Sequence, residues 1–264
     1  MSSDFDFIGE ARKIVDGAQA VGVSLRVLGA TAFRMHCPDY VDVHKAMGRE
    51  LSDIDFVAYS KEERKMEEFF FNGLHLEVER QQAALTPGLF VGRHIYIDKV
   101  TGMHVDVFID KLDMCHVVDF RKRLHVDSPT IPLAELLLEK MQIVTLNEKD
   151  VKDTLMLLAV HDVGDDDNDR VNGKYISEVL GNDWGFYYTT SLNLEKVRKG
   201  IERYKSVLKP GDTERIDERL VKLTRMIEDA PKSLKWKARA AIGARVQWYN
   251  DVEEVDRADH LADL

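Results

Sequence analysis

Three aspartates carry the chemistry this sequence offers. Asp53 and Asp55 stand two residues apart in the run Ser-Asp-Ile-Asp-Phe at 52–56. Residues i and i+2 of an extended segment project from one face, so both carboxylates can reach one cation. Asp106, in His-Val-Asp-Val-Phe at 104–108, sits in another extended segment and is the natural third ligand. Hard oxygen donors of this kind suit Mg²⁺, which keeps part of its water and binds substrate phosphates, with Mn²⁺ as the alternative ion. Two such ions can activate an attacking hydroxyl and stabilise departing pyrophosphate in an in-line displacement. Alternating acids are also the ordinary solvated face of a strand, and the acid pair alone favours that simpler reading. The balance is changed upstream. Residues 24–28 read as a short strand that ends at Gly29 and feeds a helix from Ala30. Such a small-residue turn offers backbone N–H groups to a phosphate at the positive end of a helix dipole.

Taken together, these motifs resemble the nucleotidyltransferase superfamily of the DNA polymerase beta type. The run Leu28, Gly29, Ala30, Thr31, Ala32, followed by Arg49, Glu50, Leu51, Ser52, Asp53, Ile54, Asp55 and Phe56, is similar to its signature. In that signature a glycine with a small or hydroxyl residue precedes a hydrophobic-flanked acid pair, and a third acid follows on another strand. The Gly-x-Thr-Ala start and Arg49 ahead of Asp-Ile-Asp are particularly similar to the abortive-infection toxin branch. So are Lys140 and the later Lys149, Asp150 and Asp153. The resemblance covers residues 24–160 with two departures: Ala30 stands where a glycine is usual, and the stretch from Gly29 to Asp53 is longer than usual, implying an insertion at 37–48.

The resemblance implies that Gly29 and Thr31 bind the nucleotide's phosphates, with the Thr31 hydroxyl donating a hydrogen bond. Asp53 and Asp55 would hold the metal, and Asp106 would hold it or act as general base. Lys140 would neutralise triphosphate charge, with Asp150 and Asp153 orienting that lysine or the acceptor. A solvated helix surface is the competing reading for all three. The implied activity is metal-dependent transfer of a nucleoside monophosphate from a nucleoside triphosphate to an acceptor, a tRNA, a protein or a small molecule, releasing pyrophosphate. The alternative is a non-catalytic nucleotide-sensing or partner-binding module on the same fold.

The elements that must position these residues follow from periodicity and punctuation. Residues 5–21 read as a helix, and 37–48, with Pro38 and Gly48, as a loop or insertion. At 52–59 Ile54, Phe56 and Ala58 fall on one face, and Asp53, Asp55 and Val57 on the other. A charged helix at 61–72 closes at Gly73, and a weak strand follows at 75–79. Residues 93–99 and 103–110 form a predicted hairpin through Thr101 and Gly102, with His104 and Asp110 flanking Asp106 on its face. Beyond Pro132, segments 133–163, 192–208, 213–229 and 233–249 read as helices. The pattern predicts an α/β (α+β) mixed sheet with flanking helices over 1–131, followed by a helical domain over 132–264.

Composition sets outer limits. With 264 residues, 44% hydrophobic and 32% charged, the chain folds around a sizeable core as one domain or two small ones. A net charge of −10 argues against non-specific coating of nucleic acid. The basic stretches 196–209 and 232–245, the latter containing Trp236, are either a local stripe for RNA or solvated helix faces. The acidic start and the lack of any apolar run near the ~18 residues of a membrane span predict a cytoplasmic protein with no membrane partner. Cys37 and Cys115 lack metal or disulfide spacing, and His36, His44 and Cys37 do not make a zinc set. Asp165, Asp167 and Asp169 open like a calcium loop, but Arg170 and Ile176 stand at the glycine and closing-acid positions.

Overall fold

The computed structural model describes residues 5–78 and 92–252. It is a mixed α/β structure whose sheet has five strands among the described residues: β1 (Arg26–Leu28), β2 (Ile54–Ala58), β3 (Glu77–Val78), β4 (Arg93–Asp98) and β5 (Met103–Ile109). Their spatial order is β1-β2-β5-β4-β3. The β2–β5 pair is parallel and the other neighbours are antiparallel. The β4–β5 hairpin turns at Gly102, held by Asp98, which accepts from the Val100 N–H and the Thr101 hydroxyl. Of the weak strand expected at 75–79, Glu77 and Val78 form β3 and Glu79 lies outside the described residues.

Both faces of the central strands are covered, so the alternation seen in the sequence does not separate core from solvent. On the face of Phe56 and Val107, Phe70 packs against Phe56 and stacks on Tyr96, their ring centres 4.7 Å apart in the second pair. Phe70 arrives on the wide turn Phe69–Gly73 that ends α4 (Glu63–Glu68). On the face of Asp55 and Asp106, Val57 and Phe108 are buried too. Helix α1 (Phe7–Ala20) starts where the Asp6 carboxylate accepts from the Gly9 N–H, and it buries Ala11, Ile14, Val15 and Ala18, a helical stripe. Helix α2 (Gly29–His36) follows β1 directly.

The segment 37–48 is not irregular: a short turn, Pro38–Tyr40, leads into α3 (Val41–Ala46) and buries Tyr40, Val43 and His44. Proline here occupies a first-turn position, where its missing N–H costs nothing. Segment 133–163 is two helices, α5 (Leu133–Met141) and α6 (Glu148–Val160), parted at a capping box of Asn147 and Asp150. Two further helices cover the stretch from Gly173 to Tyr204: α7 (Gly173–Asn182) and α8 (Trp184–Tyr204), which starts earlier than its periodicity suggests because Asp183 caps it. Gly185 does not break the chain; a Cβ there would stand 2.3 Å from the Trp248 carbonyl oxygen. Helix α9 (Asp212–Asp229) follows, and α10 (Leu234–Ile242) stops at Gly243, well short of residue 249. The Arg239 guanidinium donates to the carbonyls of Gly243, Val246 and Gln247, so part of the basic stretch serves to fold the chain back. Two small pairs complete the fold: β6 (Lys111–Asp113) with β7 (Val117–Asp119), and β8 (Val163–Gly164) with β9 (Val171–Asn172).

One apolar cluster runs from Val27, Phe33 and Val105 through Leu136 and Met141 to Leu155, Leu158 and Leu223. Helix α2 joins the two regions, packing on β1 and β2 on one side and on α5 and α6 on the other. Among the described residues no helix is long and apolar enough to cross a membrane.

Candidate functional site

Strand register brings the acids together. In the parallel β2–β5 pair Asp55 lies opposite Asp106, so their side chains leave the same face of the sheet. Asp53 stands just ahead of β2, two residues from Asp55, and remains partly exposed. Asp106 is buried, and Asp55 is partly open but encircled by charge. Burial first, and then the charges of Asp53 and Asp106, push the Asp55 carboxyl well above the usual carboxylate range, against the pull of Arg93. Among the described residues, no three His, Cys, Asp or Glu side chains are gathered as a ready metal cage. Asp106 is engaged instead with Arg93, Nη2 to Oδ2 at 2.5 Å.

The glycine turn meets the acids directly. Antiparallel pairing sets Leu28 opposite Asp55, so Gly29 begins α2 where the acid stands. Gly29 has a φ of +70°, and a Cβ there would lie 2.4 Å from Asp55 Oδ2. Its N–H donates to Glu139 Oε2 at 3.1 Å, so a carboxylate from α5 caps the N-terminus of α2. Thr31 is buried and its hydroxyl donates to the Asp53 carbonyl at 3.2 Å, fixing the backbone that carries the first acid. Gly29→Ala should therefore cost about 1–3 kcal/mol through backbone strain and also displace Asp55. Chemical denaturation checks this, and a loss below about 0.5 kcal/mol would contradict the close approach.

Behind the turn lies a buried ion network that places Lys140. Its Nζ is 3.2 Å from Asp150, 3.3 Å from Asp153 and 3.7 Å from Glu139. Burial alone would lower the ammonium pKa, but Asp153, Asp150 and Glu139 hold it well above its ordinary value. Asp153 also accepts two hydrogen bonds from Arg49, Nε at 2.9 Å and Nη2 at 3.1 Å. His44 joins with Nε2 at 2.8 Å from Asp153 Oδ1, while Arg34 Nε donates to His44 Nδ1 at 2.9 Å. A neutral ring that accepts at Nδ1 carries its proton on Nε2 and donates it to Asp153, and burial lowers the His44 pKa in the same sense. Burial would raise the Asp153 carboxyl, but Lys140, His44 and Arg49 hold it far below its usual range. Lys140, Asp150 and Asp153 are thus all buried rather than on a solvated surface.

The sequence matches no known protein family and no curated protein.

Of the residues singled out by sequence, Asp53, Asp55, Asp106, Gly29 and Thr31 lie around the end of β1 and the start of β2, while Lys140 sits one step behind, linked to them through Glu139. Asp110 accepts from the Ser60 N–H, and its place is the end of the strand pair rather than the acid cluster. His36 is committed to Thr130, with Nε2 2.6 Å from Oγ1.

Two residues were missed by sequence reading, Arg93 and Glu139. Glu139 gave no signal: it falls with Glu135, four residues earlier, on the side of the helix away from Leu133, Leu136, Leu137 and Met141, which reads as solvated until the structure shows both acids buried. Burial pushes its carboxyl up to about 7 from 4.5, although Lys140 and the Gly29 N–H pull the other way. A carboxyl whose folded pKa is raised holds its proton more tightly than the unfolded chain does, so its contribution to stability falls as pH rises from about 4.5 to about 7. Between about pH 5 and pH 8 this group should cost at most ~3 kcal/mol, a loss that Glu139→Gln removes. Urea unfolding of both proteins at the two pH values checks it; equal pH dependence would contradict the assignment.

Proposed function

We propose that this protein is a metal-dependent nucleotidyltransferase of the DNA polymerase beta type, similar to the abortive-infection toxin branch. It transfers a nucleoside monophosphate from a nucleoside triphosphate to an acceptor and releases pyrophosphate. The observation that supports this best is the register of Asp55 against Asp106 beside the left-handed Gly29 turn, with Asp53 close enough to raise the Asp55 pKa. A like-charged cluster of carboxylate oxygens, reachable at Asp53 and Asp55, is the donor chemistry that fits Mg²⁺ or Mn²⁺. Bound there, the cation would supply the positive charge that lets a triphosphate approach the acids and would act as a Lewis acid toward its phosphoryl group.

The chain's own residues divide the rest of the work. Asp53 and Asp55 would hold the cation, and Asp106 would hold it or take the proton of the attacking hydroxyl. The Gly29 turn sets the N-terminus of α2 beside the acids; the Gly29 N–H is taken by Glu139, so phosphate would meet the N–H groups that follow it, and Thr31 secures Asp53 from behind. Lys140, held by Asp150 and Asp153, lies beneath that turn against Glu139, whose carboxyl accepts from the Gly29 N–H. The acceptor is a tRNA, a protein or a small molecule. The test is incubation with each α-labelled nucleoside triphosphate, Mg²⁺ and a cell extract, followed by separation and mass analysis. The reading expects label on one acceptor class with one or more donors, abolished by chelation. No transfer from any common triphosphate would contradict it and favour a non-catalytic nucleotide-sensing or partner-binding module.

A further inference from the structure

Among the described residues, Arg93 is a cation that pairs with the acid cluster. It opens β4, and the antiparallel register sets Arg93 opposite Phe108 and Ile95 opposite Asp106. Arg93 and Asp106 are therefore diagonal neighbours on one face of the sheet, within reach of a long side chain. The guanidinium carbon lies 5.0 Å from the centre of the Phe108 ring, and Nη2 lies 2.5 Å from Asp106 Oδ2. The Arg93 side chain is 18% exposed and that of Asp106 only 3%, so the guanidinium is on the solvent side of the pair.

We propose that Arg93 is an exchangeable counter-ion: it neutralises Asp106 in the metal-free protein, yields that carboxylate to a divalent cation, and then turns its guanidinium to the phosphate tail of the nucleotide. This rests on the nucleotidyltransferase reading. Three physical points carry it. An acid cluster in a partly dehydrated site needs a positive charge in either state, and Arg93 already supplies one against Asp106. The aromatic contact with Phe108 does not depend on Asp106, so it can hold the side chain near the site while the head group changes partner. The planar fork of an arginine matches two phosphate oxygens as well as it matches a carboxylate.

The exchange predicts opposite changes in two affinities, which a purely structural arginine would not produce. Arg93→Gln and Arg93→Lys are compared with wild type by Mn²⁺ titration without nucleotide, read by electron paramagnetic resonance. The four ribonucleoside triphosphates are then titrated in turn, by calorimetry, at saturating Mn²⁺. Arg93→Gln should bind Mn²⁺ on the order of tenfold more tightly and triphosphate on the order of tenfold more weakly. Arg93→Lys keeps the charge without the fork, so it should match wild type for Mn²⁺ but still lose triphosphate affinity. Melting curves establish folding, and the lysine variant carries the test if the glutamine variant does not fold. If wild type binds Mn²⁺ and Arg93→Gln binds it no better, or if Arg93→Lys keeps full triphosphate affinity, the exchange is wrong and the proposed function stands. If neither wild type nor variants bind Mn²⁺, both fall.

Discussion

Asp55→Asn should lower nucleotidyl transfer by about a thousandfold or more, and at the same time raise the melting temperature of the metal-free protein. The two effects share a cause. Asp55 is held beside Asp53 and Asp106 in a site where burial and like charge push its pKa well up, so the ionised form is unfavourable until a cation arrives. A carboxyl with a raised folded pKa loses stability as pH climbs above its unfolded value, and asparagine has no such loss. The gain in melting temperature should therefore be clear at neutral pH and fade towards about pH 4. Transfer within about tenfold of wild type at saturating Mg²⁺ would remove Asp55 from the reaction, whatever the melting curve shows.

The second large effect lies in the buried network. Asp153→Ala takes away the carboxylate shared by Lys140, Arg49 and His44, and Asp153 itself has no exposed surface. Breaking a buried pair by deleting one partner strands the others in a low-dielectric interior, so the expected loss is about 3–5 kcal/mol in urea unfolding. Because the folded Asp153 pKa is depressed, its contribution is present above the usual aspartate range and lost as pH falls through the folded value. The difference between wild type and variant should therefore narrow only in acid. A loss of under about 1 kcal/mol at neutral pH would mean that the network does not hold α3, α5 and α6 together.

The acid cluster was legible because its signals are local. An alternating strand shows itself over a few residues, and the hairpin through Thr101 and Gly102 placed Asp106 on a strand of its own. Its parallel register beside Asp55 depends on contacts across some fifty residues of sequence; the resemblance implied a third acid on another strand, and neither it nor periodicity gave the register. The ion network was harder still. Asp153 and Arg49 are 104 positions apart, and a lysine on an apparently amphipathic helix looks solvated until the covering helices are known. Arg93 had no motif to announce it; only the strand pairing sets its guanidinium over Phe108 and against Asp106. The helix boundaries that went astray had separate causes: the capping box of Asn147 and Asp150 divides 133–163, Asp183 starts its helix early with Gly185 packed beneath the Trp248 carbonyl, and Gly243 ends the last helix.

The central claim is that these acids form a cation-dependent nucleotide site, and the measurement that bears on it most directly is calorimetric titration of nucleoside triphosphates with Mg²⁺ and with a chelator. Three clustered carboxylates repel an unneutralised triphosphate, so binding should be measurable with Mg²⁺ and fall by about tenfold or more when the ion is chelated. Affinity that is the same in both conditions would place nucleotide binding away from Asp53, Asp55 and Asp106 and contradict the account.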